Sequence, residues 1–359
     1  MFHIKIIKFL LLLSLLTVIL GCTEEPIIEP TPTPDGFSKG VFITNEGGFN
    51  SGNASVSFYD PIEKTVQEKI FETTNNQPLG DVLQSMTIID DKAYLVLNNS
   101  QKVEIVNLND FSSIGTIESL TSPRYLTLIN ESTAYISDIY GAAISVVDLA
   151  TQKETDKIPF GSASEEMVMV GNEMFVAQPS LSINTKKSSN HIFVIDVLTN
   201  QVTDSIQVGY NPISLKLDGN NKLWFFCNGE GNFGNPDKLG GLYKINPITK
   251  IVEVTLPFSD NTVSFAPRLV LNGDKSQLYF LKSAIFKMSV AATELPTTPF
   301  IEANGRDIYG LGVNPNTGNV YVGESGNFVQ KGTVTIYTNT GTELSSFKAG
   351  VGVNGFYFN

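Results

Sequence analysis

The 359-residue chain carries 24 basic and 36 acidic side chains, a formal net charge of −12, which argues against nucleic acid as a partner. Two cysteines, Cys22 and Cys227, cannot supply a disulfide framework, so stability has to come from burial, for which the chain is long enough. Two histidines, His3 and His191, are too few for a histidine-rich metal site.

Residues 2–20 open on Lys5 and Lys8 and continue into apolar runs at 9–13 and 15–20, the pattern of a secretory signal. The run stops at Ile19-Leu20-Gly21-Cys22, which resembles the lipobox of bacterial lipoproteins. That resemblance implies removal of residues 1–21 and acylation of Cys22. The apolar stretch is short for a membrane-spanning helix, and a polar segment follows it. Residues 22–38, rich in Pro, Thr and Glu, are expected to form a flexible tether. Glu24 and Glu25 resemble the surface-export signal of Bacteroidetes lipoproteins, although a solvated linker accounts for them equally well. The expected location is the outer membrane, lipid-anchored and facing the exterior. Lys5 and Lys8 leave with the leader, so the mature part is more acidic still.

From residue 39 the chain shows short β-branched and aromatic runs between Gly, Asn, Asp and Pro. One strand type recurs seven times, at 41–44, 93–96, 134–137, 174–177, 223–226, 278–281 and 320–323. Each is followed by a partner strand, as at 56–60 or 103–107, then by a third run, as at 203–208. A fourth precedes the next repeat, as at 124–129. Four strands at this period make a propeller blade, so residues 39–359 are expected to form an all-β, seven-bladed β-propeller. The chain enters on a second strand and leaves on an innermost-type strand at 353–358. The C-terminal strand should therefore pair with the N-terminal strands and close the ring, leaving no open edge.

In a propeller, the loops joining second to third strand share a face with those leading into the next innermost strand. Function usually resides there, around the channel mouth. The second-to-third loops are long at 45–55, 178–190, 228–241 and 324–332. They present Phe49, Phe233 and Phe328, with Tyr140 in the short loop of blade three. Aromatics on a polar rim suit a ligand surface, or tuck in for packing. The chain has 21 lysines but only three arginines, and Arg124, Arg268 and Arg306 all fall at or just before an innermost strand. They are expected on the same face, where a guanidinium fork suits carboxylate, phosphate or amide oxygens. The alternative is pairing with Asp81, Glu165, Glu166 or Asp307, holding blades together.

No catalytic signature emerges. His191 sits where a loop enters a strand and is most simply structural. Cys227 reads as a small buried hydrophobe and Trp224 as an inter-blade packing residue. Carboxylates near the expected face, among them Glu46, Asp138, Glu230, Asp237 and Glu324, are numerous enough to hold calcium, but no spacing singles out a set. Neither a metal site nor enzymatic activity is expected.

Strands ending in Thr-Asn or Asn-Asn and followed by a Val-Val-Asp type strand resemble the YVTN or YncE-like propeller repeats. A narrower match lies in Phe42-Ile43-Thr44-Asn45-Glu46-Gly47, Gly80-Asp81-Val82-Leu83-Gln84-Ser85-Met86, Asn98-Asn99-Ser100, Ser122-Pro123-Arg124-Tyr125 and Tyr309-Gly310-Leu311-Gly312. These look like the surface-layer-type lipoprotein propellers of Bacteroidetes, a group that includes the BtuG-type proteins that capture corrinoids outside a TonB-dependent transporter. The loops Asp138-Ile139-Tyr140-Gly141 and Ala177-Gln178-Pro179-Ser180 carry fewer Trp and Tyr residues than that group's.

The resemblance implies a cell-surface binding protein, not an enzyme. It would hold a small ligand, such as the corrinoid vitamin B12, and deliver it to the transporter, being otherwise monomeric and without a resident cofactor. Arg124, Arg268, Arg306, Glu46, Asp138, Asn99 and Tyr309 would supply polar contacts, and Tyr140, Phe49, Phe233 and Phe328 apolar ones. Two other functions compete: a protein-interaction scaffold at the cell surface, and a propeller hydrolase or lactonase with a carboxylate-bound metal.

Overall fold

Side chains alternate across a strand, so a run that is apolar at every position must bury both faces. Leu223–Cys227 does so, with all five residues fully buried. Phe225 and Cys227 point into one apolar cluster, and Trp224 and Phe226 into the next. That arrangement repeats around a ring. The structure is a computed structural model that describes residues 36–37, 39–182, 187–230, 237–260 and 267–359. The expected leader, Cys22 and Phe233 lie outside the described residues.

Seven antiparallel sheets form seven blades. Their innermost strands are Val353–Phe358, Leu83–Ile89, Pro123–Leu128, Met167–Val170, Pro212–Leu217, Arg268–Leu271 and Ile308–Val313, for blades one to seven in turn. Each innermost strand neighbours the next, and the last returns to the first around a central channel. Seven apolar clusters lie one between each pair of adjacent blades. Each buried Phe, Leu or Ile in them stabilises by about 1.5–3 kcal/mol, so the blades are held by packing, not by the sheets' hydrogen bonds, which run within a blade. Trp224 lies in the cluster between blades five and six and donates its indole N–H to Asp218 Oδ2 at 3.1 Å. Cys227 is fully buried, and burial pushes its thiol well above its ordinary pKa, which makes it an inert packing group.

Blade one closes the ring as the sequence predicts. Val353–Phe358 pairs with Val41–Asn45, Val41 opposite Phe358 and Ile43 opposite Phe356. The closing strand also reaches sideways. The Met86 amide of blade two donates to Tyr357 Oη at 2.8 Å, and Asn354 Nδ2 donates to Leu83 O at 2.8 Å. Ordered packing starts before residue 39: Phe37 meets Phe58 edge-on at 5.0 Å and accepts a backbone hydrogen bond from Asn359 Nδ2 at 3.0 Å.

Two local departures from the expected pattern have physical causes. Blade six has three strands rather than four among the described residues. The segment that would supply its outer strand contains Pro296 and Pro299, which have no N–H to give a ladder. A short helix, Ile70–Asn75, interrupts the otherwise all-β chain and buries Ile70 and Phe71 between blades one and two. Among the described residues, no helix is long and apolar enough to cross a membrane.

Candidate functional site

Every blade repeats the same strand order, so the seven innermost strands start at the same end of the channel. The residues at those starts face one another. Gln84, Arg124, Glu165, Ser214, Arg268 and Tyr309 come from six different blades and line a cavity of about 270 Å³. Glu46, just beyond the second strand of blade one, and Asn228, just beyond that of blade five, complete its wall.

The wall from blades two to four is internally satisfied. Arg124 donates through Nε to Glu165 Oε1 at 3.0 Å, places Nη2 2.9 Å from the same oxygen, and donates Nη1 to Gln84 Oε1. Burial works against its charge, but Glu165, Tyr125 and Glu46 together more than offset that and hold the guanidinium above its ordinary pKa. Glu166 accepts from Ser214 Oγ at 2.9 Å, from the Leu215 amide at 2.8 Å and from Lys216 Nζ at 2.6 Å. Both carboxylates therefore have their charge answered by a neighbouring cation.

The wall from blades six, seven and one is different. Arg268 lies with its guanidinium carbon 5.3 Å from the centre of the Tyr309 ring, a cation–π contact. Among the described residues, its guanidinium makes no hydrogen bond and no ion pair. The Tyr309 hydroxyl donates to Glu46 Oε2, and its ring meets Phe328 edge-on at 4.9 Å. Burial raises the Glu46 pKa, opposed by the Tyr309 hydrogen bond and by the positive charges of Arg268 and Arg124. Burial likewise pushes the Tyr309 and Tyr125 hydroxyls up, so both are neutral donors at physiological pH. Asn228 is fixed by its backbone: its amide donates to Asn211 O at 2.9 Å, and Gly229 donates to Tyr210 O at 3.0 Å. Gly229 has φ +70° and a Cβ there would stand 2.5 Å from the Gly240 nitrogen, so only glycine permits this turn. The Asn228 Oδ1 so positioned is buried and has no hydrogen-bond partner among the described residues. A second, larger cavity of about 620 Å³ lies along the channel and shares Tyr125 and Glu166 with the first.

Of the residues expected to bind ligand, Arg124, Arg268, Glu46 and Tyr309 line this cup, and Phe328 packs on Tyr309 beside it. The others stand elsewhere. Arg306 does not join the other two arginines: a turn at 303–306 precedes its strand, and its guanidinium donates to Ala303 O, Glu302 O and Tyr337 Oη. Asp138 is buried and caps its own loop, accepting from the amides of Ser122 and Tyr140. Asn99 is tied to Asp81 Oδ2 at 2.6 Å and to Asn50 Oδ1 at 2.9 Å. Phe49 and Tyr140 are 70% and 61% exposed and take no part in the cup's lining. No group of three or more His, Cys, Asp or Glu suited to a metal ion occurs among the described residues.

Residues 39–359 match the family described as Domain of unknown function (DUF5074). The chain belongs to that family. No curated protein matches this DUF5074 chain in sequence. Among solved structures it is similar to a quinonprotein alcohol dehydrogenase-like protein from Bacteroides thetaiotaomicron, with a TM-score of 0.71 and 18% identity over 90% of this chain and 79% of that one. A putative 6-phosphogluconolactonase from Bacteroides fragilis gives 0.61 at 14% identity, over 92% of this chain and 100% of that one. A periplasmic gluconolactonase from Pseudomonas aeruginosa gives 0.59 at 12%, over 89% and 99%. At such identities the likeness establishes the propeller fold, which hosts unrelated activities.

Gln84, Tyr125, Ser214 and Asn228 belong to the cup of the DUF5074 chain but are not among the residues expected to bind ligand, although Gln84 and Tyr125 lie inside stretches that carry the resemblance. The first three share one signal: they sit one or two residues before the apolar residues Met86, Leu126 and Leu215 that pair with the second strand. Laying the seven repeats over one another at that apolar position would have found them. Asn228 offers no such signal, because it depends on the turn at Gly229.

Proposed function

We propose that this DUF5074 chain is a binding protein, not an enzyme, and that it holds a small ligand in the cup at the channel mouth with Arg268 as the principal contact. The wider reading is of a lipid-anchored protein on the outer face of the outer membrane that passes its ligand to a TonB-dependent transporter. One observation carries the proposal: Arg268 stands in the cavity wall with its donors unanswered among the described residues, while Arg124 in the same wall is fully engaged. Those donors face the cavity, where a ligand's oxygens would engage them as a charged fork.

The cup's volume of about 270 Å³ falls just below the range of roughly 300–1,000 Å³ usual for drug-sized ligands. A corrinoid would thus offer only one amide or phosphate arm to Arg268 and rest its ring on the rim, where Phe49 and Val329 are exposed. Calorimetric titration of the full-length protein with cyanocobalamin, alongside an Arg268→Ala variant, tests the proposal. The expected result is binding that weakens at least tenfold in the variant while its thermal unfolding stays put. Binding indifferent to Arg268→Ala would move the ligand off the cup, and absence of binding would remove the corrinoid. Opening of a sugar lactone by the same preparation would overturn the non-catalytic part.

A further inference from the structure

An asparagine followed by glycine is open to attack by the backbone on its own side chain, because glycine has no Cβ to shield the nitrogen that attacks. The sequence contains four such pairs, at 228–229, 272–273, 304–305 and 354–355. Reaction requires the Asn Cγ and the following nitrogen to come within about 3–3.5 Å, and groups already held by hydrogen bonds do not make that approach. The fold therefore decides which of the four is reactive.

Three pairs are held. Asn354 is buried, donates to Leu83 O at 2.8 Å and accepts from Thr44 Oγ1 at 2.6 Å. Asn272 Oδ1 accepts from the amides of Ser276 and Gln277 at 2.9 Å each, and the Pro315 carbonyl crowds Gly273. Asn228 precedes a buried glycine whose amide is spent on Tyr210 O at 3.0 Å.

The fourth pair is open. Asn304 and Gly305 are both exposed at the tip of a turn, with φ +50° and +76°, which the Arg306 amide closes by donating to Ala303 O at 2.9 Å. Neither the Asn304 side chain nor the Gly305 amide has a hydrogen-bond partner among the described residues, and nothing stands within 4 Å of a Cβ built on Gly305. What restrains the turn is the Arg306 side chain, which donates to Ala303 O at 3.1 Å, to Glu302 O at 2.7 Å and to Tyr337 Oη at 2.7 Å.

We propose that Asn304 is a site of spontaneous covalent modification in the folded protein, at a rate set by the Arg306 clamp. The Gly305 nitrogen bonds to Asn304 Cγ as ammonia leaves, giving a cyclic imide. Water then opens the ring at either carbonyl, leaving an aspartyl or an isoaspartyl residue. Nothing is oxidised or reduced, and water is the one co-reactant. The product carries one more negative charge. In its isoaspartyl form it also adds a carbon to the main chain, inside the turn that leads into Ile308–Val313, the strand that brings Tyr309 to the cup. A molecule so marked records its own age on the segment that feeds its binding site.

The test is peptide mass mapping of the full-length protein after warm incubation at mildly alkaline pH, native and in urea, with isoaspartate detected by enzymatic methylation. In the native protein Asn304 is expected to convert roughly tenfold or more faster than Asn228, Asn272 and Asn354, whereas in urea all four should convert at similar rates, because closure of the fold is what slows the three. Arg306→Met is expected to speed conversion of Asn304 about threefold or more by freeing the turn to open. If that variant does not fold, Tyr337→Phe, which removes one bond of the clamp, should speed it by less. Asn304→Gln should stay unmodified at that position, and aged wild-type protein should melt below aged Asn304→Gln. Conversion of Asn304 in the native protein no faster than that of the other three overturns the proposal. Arg306→Met or Tyr337→Phe converting at the wild-type rate overturns the clamp, and equal melting of the two aged proteins overturns the effect on the turn.

Discussion

Arg124 and Arg268 stand at the starts of innermost strands three blades apart, each following a proline, and the channel mouth treats them differently. Around Arg124, blades two and four extend Gln84 and Glu165 to meet the guanidinium from both sides, so the side chain works as a clamp across three blades. Around Arg268 the neighbouring blade offers the face of Tyr309, an aromatic ring that supports a cation without consuming its donors. The same residue type in the same repeat position thus serves cohesion on one side and availability on the other. Sequence position places an arginine at the mouth; the residues one blade away decide what it does.

The comparison breaks most completely if the strand beneath both halves is removed. Deleting residues 353–358 takes away the innermost strand of blade one, with Asn354 and Tyr357, which anchor blade two. The expected loss is of the order of the domain's whole stability, about 5–15 kcal/mol, seen as disappearance of the cooperative thermal transition. A surviving sharp transition would mean that the blades stand without closure.

The next largest effect separates the two arginines directly. Glu165→Ala leaves Arg124 largely buried without its carboxylate and is expected to cost about 3 kcal/mol in denaturant unfolding. Arg268→Met, which removes a guanidinium that no carboxylate holds, should change stability by no more than about 1 kcal/mol. Equal costs for the two substitutions would show that Arg268 has a structural role like that of Arg124.

The smallest effect concerns Glu46. Its folded pKa is raised above its ordinary value of 4.5, mainly by burial, so folding favours the protonated form. The sign follows from linkage: this group's contribution to stability is full below 4.5 and is lost as pH rises through the raised value. An anion held at Arg268 would favour the same protonated form, so its affinity should fall over the same window. The groups facing Glu46 are Tyr309, Arg268, Arg124 and Asn354, of which only the arginines are charged there and neither titrates in that range. Glu46→Gln should therefore flatten both profiles, with a stability gain of a few tenths of a kcal/mol to about 1 kcal/mol near neutral pH. An unchanged pH profile in Glu46→Gln would assign the dependence to another group.

The ring itself was legible because its signal is redundant: seven apolar strands that bury both faces cannot be arranged in many ways, and the terminal strands complete a single missing blade. The site was only partly legible. Arginine is scarce enough in this chain that Arg124 and Arg268 stood out, and Glu165 was already a candidate partner. Arg306 defied the same logic because a turn intervenes between it and its strand, turning its donors onto backbone carbonyls. Asp138 looked like a rim carboxylate, yet loops spend such residues on their own amides. Asn228 was invisible, since its place in the wall arises from the fold of a loop and from no local pattern.

Closure by the last strand also imposes an order in time. Thr44 hydrogen-bonds to Asn354 across 310 positions of chain, and Glu46 to Tyr309 across 263. Contacts of such separation are slow to form, because a long loop must be closed before any interaction rewards it. Glu46 is among the first residues of the domain to emerge in synthesis and Tyr309 among the later ones, so the wall they share forms only after most of the domain is made. A chain that lacks Tyr309 or the closing strand holds no finished cup, however well its first blades pack.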